Sequence, residues 1–84
     1  MADVTLDARG LLCPLPVLKA QKILKTMRAG EVLSVLVTDA HSPPDFRLFC
    51  RDQGHVFLGV DQEADGVFKV TLACGAAAGA AQGA

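Results

Sequence analysis

Two prolines separated by a single residue, Pro14 and Pro16, make the most constrained stretch of this 84-residue chain. Each proline locks φ and gives up a backbone N–H. The run Leu12-Cys13-Pro14-Leu15-Pro16 therefore cannot continue a central strand or sit inside a helix, but it can open a helix, where the missing donors cost nothing. Upstream, Val4-Thr5-Leu6-Asp7-Ala8 alternates as a short strand, and Arg9-Gly10-Leu11-Leu12 is the turn out of it. Downstream, Val17, Ala20, Leu24 and Met27 recur at helical spacing with Ile23 beside them, and Gly30 is the expected left-handed stop. The prolines thus mark a strand-to-helix junction, with Cys13 read as the N-cap and Pro14 and Pro16 as the first and third helical residues.

The remaining pattern completes the architecture. Val32-Leu33-Ser34-Val35-Leu36-Val37-Thr38 is nearly continuous and β-branched, as a covered central strand requires. Ser42-Pro43-Pro44-Asp45 reads as a helix start, with Ser42 as cap and Asp45 as the first-turn acid. Phe46, Phe49 and Cys50 form the apolar stripe of that helix, and Gly54 closes it. Val56-Phe57-Leu58-Gly59-Val60 and Val67-Phe68-Lys69-Val70-Thr71-Leu72 are strands joined through Asp65-Gly66, a hairpin signal. The order β-α-β-α-β-β predicts an α/β fold: a two-layer α/β sandwich in which two helices cover one face of a four-stranded mixed sheet. Residues 1–74 form one domain, and 75–84, all Gly and Ala but for one Gln, read as a disordered tail.

Composition excludes several functions. The net charge of −1 gives no global attraction to nucleic acid. Charge is nonetheless uneven: Arg9, Lys19, Lys22, Lys25 and Arg28 all lie in the first third of the chain. Three cysteines without CxxC spacing argue against a disulfide framework or a structural zinc site. No metal ligand set and no phosphate-binding glycine loop is visible, so no cofactor is expected. The start lacks the pattern of a secretory signal, and no apolar run is long enough for a bilayer. A cytoplasmic location is expected, where a free thiol persists.

Cys13 is the candidate reactive group. At a helix N-terminus the free amides of Leu15 and Val17 and the helix dipole favour the thiolate. A dipole term of roughly 0.3–1 kcal/mol lowers a thiol pKa by less than about one unit. Arg9 is placed to add to this. The expected product is a moderately activated nucleophile, better suited to a soft sulfur electrophile than to an ester or amide. Leu15, Lys19, Lys22 and Thr26 share the helix face turned from the core. Leu15 either forms a docking surface beside the thiol, above a basic stripe, or folds back onto a loop.

The run Leu6-Asp7-Ala8-Arg9-Gly10-Leu11-Leu12-Cys13-Pro14-Leu15-Pro16 closely resembles the signature of the TusA/SirA-like sulfur-carrier family. Ala29-Gly30-Glu31, Asp39 with Asp45-Phe46, and Phe49-Cys50 with Gly54-His55 extend the likeness over roughly residues 4 to 73. The resemblance implies the same β-α-β-α-β-β fold and a role in which Cys13 takes up sulfane sulfur as a persulfide and passes it on. It implies a cysteine desulfurase or rhodanese-type donor and a small sulfur-relay acceptor, serving tRNA thiolation, molybdenum-cofactor metabolism or sulfur oxidation. The sulfur is then carried covalently, by a monomer with transient partners rather than by an enzyme with a cofactor. Asp7, Gly10, Pro14 and Pro16 match as shapers of the site, with Arg9 beside them. The chain departs from the pattern at Leu15, where relatives often carry a charge, and this residue with Lys19 and Lys22 is the expected partner-docking surface.

The other candidates read as structural. Cys50 falls on the core stripe, Cys74 at the edge of the tail, and His41 and His55 at loop edges. Asp39 and Asp45, six residues apart across a loop, do not suggest a paired-carboxylate site. The competing function is a regulatory or RNA-interacting module in which Cys13 is structural.

Overall fold

The structure, a computed structural model, describes residues 3–75. The elements are β1 (Val4–Ala8), α1 (Leu15–Leu24), β2 (Val32–Val37), α2 (Ser42–Gln53), β3 (Val56–Ala64) and β4 (Val67–Ala73). The sheet order is β1-β2-β4-β3, with β1 parallel to β2 and the other pairs antiparallel. The expected α/β architecture is therefore the one observed.

Alternation decides which side of the sheet is covered. Leu33, Val35 and Val37 of β2 are fully buried, and so are Val70 and Leu72 of β4; Leu72 stands opposite Leu33 and Val70 opposite Val35. α1 packs over β1 and β2, and α2 over β3 and β4. From α1 come Ala20 and Leu24, and from α2 come Phe46 and Cys50. Phe46 is the largest fully buried side chain and meets Phe49 edge-on, with ring centroids 6.5 Å apart. The helical stripes read from the sequence are thus the ones that fill the core.

Several boundaries differ from the sequence reading, each for a local reason. α1 ends at Leu24 rather than near Gly30, because the amides of Thr26 and Met27 turn to the carbonyls of Ile23 and Leu24. The Thr26 hydroxyl also donates to the Ile23 carbonyl at 2.7 Å, which tightens the last turn. Ser42 is not the cap of α2: His41 holds that position, Ser42 lies inside the helix, and its buried Oγ has no hydrogen-bond partner. β3 runs on to Ala64 because its polar end still pairs with β4, Asp61 opposite Lys69 and Gln62 opposite Phe68, although the apolar pattern stops at Val60.

The C-terminal end also differs from expectation. Cys74 is buried, its amide donates to the Glu31 carbonyl at 2.8 Å, and its carbonyl accepts the Gly30 amide at 2.8 Å. Gly75, placed in the tail by composition, is buried, and its amide donates to His55 Nδ1 at 3.0 Å. The rest of the expected tail, 76–84, lies outside the described residues.

Candidate functional site

Parallel pairing of β1 with β2 sets Ala8 beside Val37, so both strands end at the same edge of the sheet. The loops that follow them, 9–14 and 38–41, therefore emerge side by side. Open α/β sheets commonly place their sites outside such strand ends. Gly10, at φ 81°, makes the turn out of β1, and its amide donates to Thr38 Oγ1 at 2.8 Å, tying one loop to the other. Pro14, not Cys13, is the N-cap of α1, with Pro16 in the helix's first turn. The Cys13–Pro14 peptide bond is cis. Cys13 thus sits one residue before the position expected of it, in the turn ahead of the helix. The Leu15 amide, expected to face the sulfur, donates instead to the Leu12 carbonyl at 2.9 Å.

Two carboxylates converge on Cys13. Asp39 Oδ2 accepts the Cys13 backbone amide at 2.8 Å, while its Oδ1 accepts the His41 amide at 3.0 Å and lies 3.1 Å from His41 Nδ1. These bonds, the one from Cys13 first, hold the Asp39 carboxyl below its ordinary range. The Cys13 thiol donates to Asp45 Oδ2, from the first turn of α2. The spacing of Asp39 and Asp45 does not suggest a site; the structure brings Asp45 to the Cys13 sulfur and Asp39 to the Cys13 backbone amide. The topology carried the signal, because a parallel β1–β2 pair obliges the loop before α2 to abut the loop before α1.

The electrostatics reverse the sequence expectation. The hydrogen bond to Asp45 pushes the Cys13 thiol pKa up, helped by desolvation and by the charges of Asp45 and Asp39. Arg9 does not assist the sulfur: its Nε and terminal nitrogen hold the two oxygens of Asp7 at 2.9 and 2.8 Å. Arg9 holds Asp7 down to about 2. Asp7 and Arg9 therefore pair with each other across the turn.

Of the three cysteines only Cys13 is exposed. Burial pushes Cys50 up to about 11 and raises Cys74 as well, whose Sγ lies 3.7 Å from the carbonyls of Leu24 and Met27. Leu12, next to Cys13 in the chain, is exposed at 71 % of its surface; Leu15 and Leu18 in the first turn of α1 are exposed as well, and so are Lys19 and Lys22 farther along α1. Leu15 does not fold away. Among the described residues no set of His, Cys, Asp or Glu is arranged to hold a metal ion.

The family model described as Sulfurtransferase TusA matches residues 4–73. The chain belongs to this family. A Neisseria meningitidis serogroup A protein, provisionally named a sulfur carrier protein, is 50 % identical over 72 residues, covering 86 % of this chain and 96 % of that one. The sulfur carrier protein TusA of Allochromatium vinosum is 44 % identical over 61 residues, 73 % of this chain and 80 % of its own. The crystal structure of a SirA-like protein from Desulfitobacterium hafniense superposes with a TM-score of 0.77 at 33 % identity, covering 86 % of this chain and 97 % of that one. The TusA match spans β1 through β4, so the thiol loop, both carboxylates and the whole sheet lie within it. No helix among the described residues is long and apolar enough to cross a membrane.

Proposed function

We propose that this protein is a sulfur carrier that takes up sulfane sulfur as a persulfide on Cys13 and relays it to an acceptor protein. The observation that carries the reading is the exposed Cys13, alone of the three thiols open to solvent, at the loop edge of a TusA-family fold. The chemistry is displacement at sulfur. The Cys13 sulfur attacks the outer sulfur of a donor persulfide, the donor's S–S bond breaks, and the donor cysteine leaves as the thiolate. The sulfane sulfur keeps its oxidation state, so no cofactor takes part. A second displacement of the same kind, with the acceptor thiol attacking, empties the carrier.

The donor is a cysteine desulfurase or rhodanese-type protein, and the acceptor is a small sulfur-relay protein of tRNA thiolation, molybdenum-cofactor metabolism or sulfur oxidation. Leu15 with Lys19 and Lys22 forms the docking surface, while Asp7, Arg9, Gly10, Pro14 and Pro16 hold the loop in place. The carrier works as a cytoplasmic monomer that meets donor and acceptor in turn. Incubation with a labelled sulfane-sulfur donor tests the reading: wild type takes up label that a thiol reductant removes, and Cys13→Ser takes up none. Equal labelling of Cys13→Ser would sink it.

A further inference from the structure

A sulfur that must act as a nucleophile is bonded here to a carboxylate, Asp45. An ionised carboxylate can only accept, so the Cys13–Asp45 hydrogen bond exists only while the sulfur carries its proton. Asp39 adds a second negative charge on the other loop, bonded to the Cys13 amide. His41 is bonded to Asp39 and exposed, and Arg9 is held by Asp7. Among the described residues no lysine or arginine pairs with Asp39 or Asp45. Exposed leucines lie close to Cys13 and Asp45 in the chain: Leu12, Leu15 and Leu18 on the thiol side, and Leu48 one turn after Asp45 on α2. Exposed leucines thus accompany a thiol that has two carboxylates bonded to its residue, and charge complementarity specifies a cationic partner.

We propose that Asp45 latches Cys13 as the neutral thiol in the free protein, and that a cationic side chain of the sulfur donor takes over the carboxylate and frees the sulfur to attack. This rests on the carrier reading for its partner, but the latch itself is a property of the free chain. When the donor cation pairs with Asp45, the Cys13 proton leaves to solvent and the sulfur's electron pair forms the new bond to the donor's outer sulfur. The donor's S–S bond breaks, and its cysteine departs with the electron pair of that broken bond and takes up a proton. Overall, a thiol and a persulfide exchange one sulfur atom with no net oxidation. The same device keeps the unloaded carrier from reacting with adventitious electrophiles.

The test uses three methanethiosulfonates of different charge on the free protein: the cationic aminoethyl, the neutral methyl and the anionic sulfonatoethyl reagents. Wild type should react fastest with the cationic reagent, which brings its own ammonium to Asp45, and slowest with the anionic one. Asp45→Asn should raise the rate with the neutral reagent at neutral pH by about tenfold, as removal of one adjacent charge lowers a thiol pKa by about a unit. It should also shrink the charge preference. Asp39→Asn should act in the same direction but less, and it serves as the second variant if Asp45→Asn fails to fold. A neutral-reagent rate that is unchanged or slower in both variants would overturn the latch. These reagents need no sulfur donor. Failure of Cys13 to take up sulfur would thus overturn the carrier reading alone, and unchanged rates would overturn the latch alone.

Discussion

The two ends of the sheet treat a cysteine in opposite ways. At the loop edge, Cys13 is exposed and its thiol is bonded to Asp45. At the other end, Cys74 is buried where its strand pairs with Glu31, close to a clasp in which Gly75 donates to His55. Both thiols are pushed up in pKa, Cys13 chiefly by a hydrogen bond to a carboxylate and Cys74 chiefly by burial. The shared direction hides a difference in reversibility. A charge is neutralised by a partner or by one substitution, whereas burial yields only to unfolding. Reactivity here is therefore a question of location and partner rather than of residue type.

The largest expected effect is in native labelling. Iodoacetamide should modify Cys13 at least about a hundredfold faster than Cys50 or Cys74, which become available only on opening of the fold. Comparable rates at all three sites, read by peptide mapping, would abolish the contrast between the ends. Next comes the clasp. A Cβ at Gly75 would lie 1.7 Å from the Gly54 carbonyl oxygen, a backbone atom that cannot swing aside. Gly75→Ala should lower stability by about 1–3 kcal/mol in urea unfolding, as overpacking does, while leaving Cys13 labelling unchanged.

A smaller effect comes from His55. Burial lowers its pKa, and the neutral ring accepts the Gly75 amide, so protons bind the unfolded chain more readily. Its contribution to stability is complete above the unfolded value of about 6.5 and is lost as pH falls through the lower folded value. Urea midpoints of wild type should fall with acid over that window more than those of His55→Gln; parallel curves would remove His55 from the clasp. The smallest effect is expected at Arg9. Because its guanidinium is held by Asp7, Arg9→Ala should change the Cys13 labelling rate by less than about twofold, as for an exposed charge already paired with another group. A marked slowing would restore the activating role that the sequence suggested.

Sequence pattern made the thiol legible and its surroundings not. The alternation of Val4 to Ala8, the buried run from Val32 and the helical stripes at Ala20, Leu24, Phe46 and Cys50 each depend on neighbours a few residues away. The core they predict is the core observed. The bonds that define the site are of another kind. Asp39 lies 26 residues and Asp45 32 residues from Cys13, and only the parallel register of β1 and β2 joins them. Local reasoning at the prolines placed a helix dipole behind the sulfur and an arginine beside it. The tertiary contacts instead gave the dipole end to Pro14 and the arginine to Asp7. Cys74 and Gly75 were hidden for a similar reason, since a run of small residues carries no pattern to show that its first members pair with Gly30, Glu31 and His55.

The proposed relay assigns transferable sulfur to Cys13 alone. Its most direct test is site-resolved mass spectrometry of the wild-type chain after exposure to a persulfidated donor protein, with all three cysteines present. A gain of one sulfur atom is expected on the peptide bearing Cys13, lost on addition of a thiol acceptor, and none on those bearing Cys50 or Cys74. Sulfur found on either buried cysteine of the folded protein, or on no cysteine at all across several donors, would contradict it.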